Sequence, residues 1–232
     1  MKKIVAGGGL LTVVALLTGC GLTNLGSASH HETATHQVTE KITKLNVRGR
    51  SGDVSVTEAA GAAGGAVKVV EMTRWNDERP ETTRKVQGET LFVSYNCPSS
   101  MDNCGVDYRI EIPKGTAVDL QTGSGHVRLT SLTGAITAVT GSGDITGTGL
   151  SGKKVFTKVG SGTAELGYTA VPDEVEMRGG SGDVTVRLPG GPYNVSTRAG
   201  SGDRKVSVPQ DPASAHKVVM STGSGDIKVL AG

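Results

Sequence analysis

Three sets of residues in this 232-residue chain have types and spacings suited to chemistry: a recurring aspartate, a recurring basic residue and a pair of cysteines. The aspartates follow a Ser-Gly pair. Asp183, Asp203 and Asp226 do so in three successive copies, with Asp144 alone between His126 and Thr163 of its neighbouring copies. If equivalent residues stack at the ~4.8 Å spacing of adjacent strands, neighbouring carboxylates repel by about 1 kcal/mol in water and by more at lower dielectric. Such a ladder wants a cation or solvent. Calcium would serve, since it accepts carboxylate and backbone oxygens in flexible geometry; alternatively each Asp caps its own turn through nearby N–H groups while its charge stays solvated. Capping is the expected role, so no metal and no cofactor is assigned.

Three residues before the serines of three successive copies stand Lys158, Arg178 and Arg198. On one outward face they would form a candidate anion-binding stripe, each exposed charge contributing up to about 1 kcal/mol beside an acidic surface. An anionic wall polymer or lipid headgroups would fit such a stripe. The alternative is a solvated face with Glu165 and Glu176 as partners. Of the three cysteines, Cys20 lies in a leader, which leaves Cys97 and Cys104 close together in a turn-rich stretch. An even remainder in an exported chain reads as a disulfide; the loop-entropy model gives so small a ring roughly 2.5 kcal/mol. A metal site is the weaker alternative, because no second Cys/His pair lies near.

What would position these residues is a repeat. Ser51, Ser124, Ser142, Ser161, Ser181, Ser201 and Ser224 each begin a Ser-Gly pair, and from the second copy onward the period is about 20 residues, the signature of a solenoid. Six residues before each serine stand Leu45, Val118, Ile136, Val155, Val175, Val195 and Val218, every one aliphatic. Three and five residues after it come further apolar positions, such as Val54 and Val56, or Ile227 and Val229. A spacing of two puts side chains on one face of a strand, so each repeat reads as two strands joined by a Gly-Ser-Gly-Asp turn. Two short strands cannot bury their inner face alone, and identical units stack to share a Val/Ile/Leu interior. The expected fold is all-β, a right-handed parallel β-helix or β-solenoid, with the hand taken from the general preference of parallel crossovers. The 35 glycines and 3% aromatic content agree.

Residues 57–115 break the repeat while still alternating like strands, and read as irregular coils or a cap over the first edge; residues 116–230 carry the regular copies. No cap is evident after Val229, so that edge is either tolerated, helped by Lys228, or paired with another molecule. At the other end, Lys2 and Lys3 precede an apolar stretch, Ile4 to Leu17, and then Leu17-Thr18-Gly19-Cys20, which resembles the bacterial lipobox. That resemblance implies a signal peptide over 1–20 and a lipid on the Cys20 thiol. At about 0.8 kcal/mol per buried CH₂, two or three acyl chains anchor a protein stably. Residues 21–40, rich in Ser, Thr and His, read as a flexible tether with an end-to-end distance of roughly 25 Å, and residues 41–232 as the solenoid. His30, His31 and His36 lie in that tether, where a metal site is not expected.

The recurring Gly-Ser-Gly-Asp followed by Ile or Val, the segment Ile110-Glu111-Ile112-Pro113-Lys114-Gly115 and the lipoprotein leader together resemble the bacterial putative adhesin domain family of extracytoplasmic β-strand-repeat proteins, over residues 41–230. The family brings no catalytic residues to carry over, and His126, Thr163 and Arg204 depart from its motif. The resemblance implies a membrane-anchored surface lipoprotein, held at the cell membrane on its extracytoplasmic face, that binds an envelope or extracellular ligand without catalysis. The competing reading is a structural or sensory module acting through a membrane protein. A polysaccharide-active enzyme is a minor third, because the short connections build no cleft for paired carboxylates and only Phe156, Tyr168 and Tyr193 offer sugar platforms in the regular region. A net charge of +2 gives no support for a nucleic-acid partner, and the oligomeric state is left open.

Overall fold

The computed structural model describes residues 30–59, 65–98 and 103–232; the leader with Cys20 lies outside them. They form nineteen strands and no α-helix: β1 His30–Val38, β2 Lys44–Arg48, β3 Val54–Glu58, β4 Val67–Trp75, β5 Glu81–Gln87, β6 Thr90–Asn96, β7 Gly105–Ile112, β8 Ala117–Thr122, β9 Val127–Thr130, β10 Ile136–Ser142, β11 Ile145–Leu150, β12 Lys154–Ser161, β13 Ala164–Tyr168, β14 Glu174–Ser181, β15 Val184–Leu188, β16 Asn194–Ser201, β17 Arg204–Val206, β18 Lys217–Ser224 and β19 Ile227–Ala231. Each repeat contributes one strand to a nine-stranded sheet and the next to a ten-stranded sheet, and like strands of neighbouring coils pair in parallel. The molecule is a β-solenoid of two facing sheets.

The aliphatic columns explain why. Val118, Ile136, Val155, Val175 and Val218 are in register along the nine-stranded sheet, all at 3% exposure or less, and face the Val127, Ile145, Ala164, Val184 and Ile227 column of the other sheet. Each coil thus removes its apolar face from water against its neighbours, at about 25 cal/mol per Å². Glycine is required at the turn because coils approach there backbone to backbone. A Cβ on Gly125 would lie 1.8 Å from the Gly52 carbonyl oxygen, and one on Gly182, whose φ is +132°, would lie 2.1 Å from that of Gly162. Inward threonines beside the turn are satisfied across the same gap, Thr140 Oγ1 donating to Gly125 O at 3.1 Å and Thr222 Oγ1 to Gly182 O at 3.0 Å.

Spatial order departs from chain order at both ends. β6 and β7 form a coil of their own, with β6 parallel to β2 and β7 parallel to β3, so the first repeat in the chain is second in the stack. Its turn lacks the Ser-Gly signature and is closed instead by the Cys97–Cys104 disulfide, Cα atoms 6.0 Å apart. At the other end β18 pairs with both β14 and β16, and β19 with both β15 and β17. The last coil in sequence is therefore inserted before the penultimate one. This corrects two expectations: the exposed edge is β16/β17, and Val229 lies on a doubly paired strand.

The beginning of the domain also needs correcting. Residues 30–38, expected within the flexible tether, are a strand, because β1 pairs antiparallel with all of β4 and places His36 and Val38 in the interior. β4 in turn runs antiparallel to β7, and β5 antiparallel to β6. The insertion within residues 57–115 is thus two antiparallel strands, β4 and β5, followed in the chain by one further coil whose edge they cover. The edge of the stack at this end is thereby moved from the coil to β1 and β5, the terminal strands of the two sheets.

Candidate binding face

The aspartate column is a set of ties between coils. Asp107 Oδ1 accepts the Asp53 N–H at 2.8 Å, Asp53 Oδ1 the His126 N–H at 3.0 Å, and Asp144 Oδ1 the Thr163 N–H at 2.8 Å. After the Thr163 interruption, Asp183 Oδ1 accepts the Asp226 N–H at 2.8 Å and Asp226 Oδ1 the Asp203 N–H at 3.0 Å. These five carboxylates therefore cap the next coil, where the sequence suggested that each caps its own turn. The ladder order is Asp183, Asp226, Asp203, following the exchanged coils. Lys228 Nζ stands 3.6 Å from Asp183 and 3.3 Å from Asp226, so the cation that relieves this ladder is a side chain. The Asp203 N–H, and after it Lys228, hold the Asp226 carboxyl below its usual range.

The basic column is rearranged by the same exchange. Lys158 neighbours Arg178, but Arg178 neighbours Ser221, which separates it from Arg198. The three are therefore not consecutive rungs. Arg178 is also engaged: its Nε donates to Glu176 Oε1 at 2.7 Å and its guanidinium lies 5.5 Å from the Phe156 ring centroid. Lys158 and Arg198 form no ion pair with any described residue.

The neighbouring outward column of the nine-stranded sheet is the more distinctive. In stack order it reads Phe92, Asn46, Asp119, Thr137, Phe156, Glu176, Val219, Ser196. Phe92 at 36% and Val219 at 44% are the exposed large hydrophobics among the described residues, and both fall in this one column with half-buried Phe156 between them. A shallow depression of about 300 Å³ lies at Phe156, lined by Ala135, Thr137, Lys154, Glu174 and Glu176 among others. Its charges are paired, Lys154 with Glu174 at 3.3 Å and Arg178 with Glu176. Further along, Asp119 takes Arg48 at 3.0 Å and Lys44 at 3.7 Å. Tyr168 and Tyr193, the other two aromatic platforms of the regular repeats, are buried at 6% and 0%. From the sequence, Phe92 reads only as one of the aromatics of the irregular region, with a structural role, and Val219 carries no signal; the alternation of Thr90–Tyr95 acquires its place only through the Leu91–Leu45 register.

Under the cap lies a buried polar cluster that no periodicity announced. Glu71, its side chain 3% exposed, accepts two 2.7 Å hydrogen bonds from Arg84 Nη1, joining the two sheets. His36 Nε2 is 3.6 Å from Glu71 Oε2, and burial above all, then the Arg84 charge, lowers its pKa against the opposing pull of Glu71. Burial likewise pushes the Tyr108 phenol up. Of the other tether histidines, His30 stacks on Trp75 at 5.4 Å.

The family model described as Toastrack DUF4097 matches residues 27–230. A putative cell adhesion protein from Clostridium sporogenes, 15% identical, superimposes with a TM-score of 0.50 over 88% of this chain and 100% of its own. A putative adhesin from Bacteroides fragilis, 17% identical, gives 0.38 over 86% and 97%. At these identities the first likeness speaks for the fold. Comparison with curated proteins finds no match.

Proposed function

Because the chain belongs to the Toastrack DUF4097 family, we propose that it is a non-catalytic, adhesin-like module held at the outer surface of the cell membrane through a lipid on Cys20. The observation that carries the reading is the outward column of the nine-stranded sheet. It is an open ladder on which the exposed Phe92 and Val219 and the half-buried Phe156 stand in one line between polar rungs, and that alignment supports a contact line along the stack. The Clostridium sporogenes structure, described as a putative cell adhesion protein, supports the same reading. Residues 21–29 would link the anchor to β1 at the capped end, leaving the β16/β17 end pointing away from the lipid.

Two measurements test it. Cys20→Ala should release the protein into the medium or leave an unlipidated precursor, whereas the parent chain partitions with membranes and carries the mass of its acyl chains. The full chain should also bind purified cell wall or intact cells saturably. Absence of both lipid and binding would refute the proposal.

A further inference from the structure

We propose that the outward face of the nine-stranded sheet takes a linear glycan laid along the stack axis, with Phe156 as the principal stacking platform and Phe92 as a second. The inference rests on the binding-module reading and names the ligand class for that face. A sugar ring is amphipathic, with C–H groups on its faces and hydroxyls around its rim. It is held by an aromatic side chain beneath the ring and a few polar groups at its edge. That combination is what the column presents. The ring of Phe156 borders the depression of about 300 Å³, and Arg178, resting on the ring 5.5 Å from its centroid, is not part of that lining. Ala135 and Thr137 keep one side low, while Lys154, Glu174 and Glu176 provide donors and acceptors at the rim.

Two features favour a glycan with little net charge over a polyanion. The charged groups beside Phe156 and Asn46 are matched within the protein, as Lys154–Glu174, Arg178–Glu176 and Arg48–Asp119, and offer hydrogen bonds more than a field, while Lys158 and Arg198 on the same face are the cations left without an ion pair among the described residues. The basic rungs meant to hold an anionic chain are interrupted at Ser221. Length favours a polymer over a single sugar. Phe92 and Phe156 are four ladder steps apart, roughly 19 Å at ~4.8 Å per step, and Val219 continues the line two steps beyond Phe156. A linear chain laid along the stack axis would meet all three in turn.

The test is calorimetric titration of the full-length protein with the hexamers of N-acetylglucosamine and of glucose, beside binding to purified wall and to protease-treated cells. Saturable binding of at least one hexamer is expected, little changed between low and high salt, and at least ten-fold weaker in Phe156→Ala, with a smaller loss in Phe92→Ala. Both side chains reach the surface, so circular dichroism and thermal midpoint should hold in the variants. If the wall is bound but neither hexamer is, or binding is lost with salt and survives Phe156→Ala, the glycan is wrong and an anionic polymer takes its place, while the binding-module reading stands. Cell binding abolished by protease treatment would overturn it in favour of a protein partner. No binding to wall or cells would remove both the glycan and the reading beneath it.

Discussion

His36 occupies an interior position that a charged imidazole cannot hold without loss. In the unfolded chain it titrates near 6.5; in the fold, burial and the nearby Arg84 lower that value, with Glu71 opposing them. Between the two values the unfolded chain binds the extra proton, so stability falls as pH drops through that window and is unaffected above it. The urea midpoint of the wild type should therefore decline from pH 7.5 to pH 5 more steeply than that of His36→Leu. Parallel declines would refute this assignment. The neighbouring Glu71–Arg84 pair behaves differently: with Glu71 almost wholly enclosed and doubly hydrogen-bonded, its contribution comes from satisfying a charge that would otherwise be stranded.

At the scale of strands, the in-register columns make one position stand for its whole coil. Val175 is fully buried with Val155 on one side and Val218 on the other. Val175→Asp places an uncompensated carboxylate between them, with an expected loss of about 4 kcal/mol or more, read as a lowered thermal midpoint and reduced strand signal; an unchanged midpoint would mean the column is misassigned. These columns were legible in the sequence because alternation and the Gly-Ser-Gly turn repeat together. The strands of the β6/β7 coil showed in the alternation of Thr90–Tyr95 and of 107–113, but their place in the stack did not, since a disulfide ring replaces the turn that would have announced it. β1 was hidden for another reason. Its Thr and His residues resemble a solvated tether, and only the partner strand β4 reveals that alternate side chains turn inward. The aromatic line on the nine-stranded sheet was legible only in part: Phe156 stood in a regular repeat, while Phe92 belonged to a coil whose register the sequence did not show.

For the molecule as a whole, the exchanged coils make the order of stability differ from the order of the chain. Strands β18 and β19 are hydrogen-bonded on both flanks, whereas β16 and β17 each pair on one. Amide exchange should accordingly be slower across residues 218–231 than across 195–206, although the former come later in the chain. The opposite ranking would refute the stack order. Nothing in the repeat period reveals this order, because every coil carries compatible aliphatic columns. One residue does discriminate. Arg204 stands in register with Ile227, in the column that Val184 continues, and at the end of the stack it is exposed, with Nη1 lying 3.5 Å from the Thr197 carbonyl. This has a consequence for how the protein is made. A chain that emerges N-terminus first delivers β16 and β17 before β18 and β19, so the early pair finds the flank of β14 and β15 vacant. Once the later pair arrives, keeping that first placement would shut the Arg204 guanidinium between Val184 and Ile227, away from water. Arg204 thus favours the observed stack order, in which it ends its column facing water, over the order of the chain, in which it would be enclosed. In Arg204→Val the early arrangement would persist, and residues 218–231 would become the fast-exchanging end.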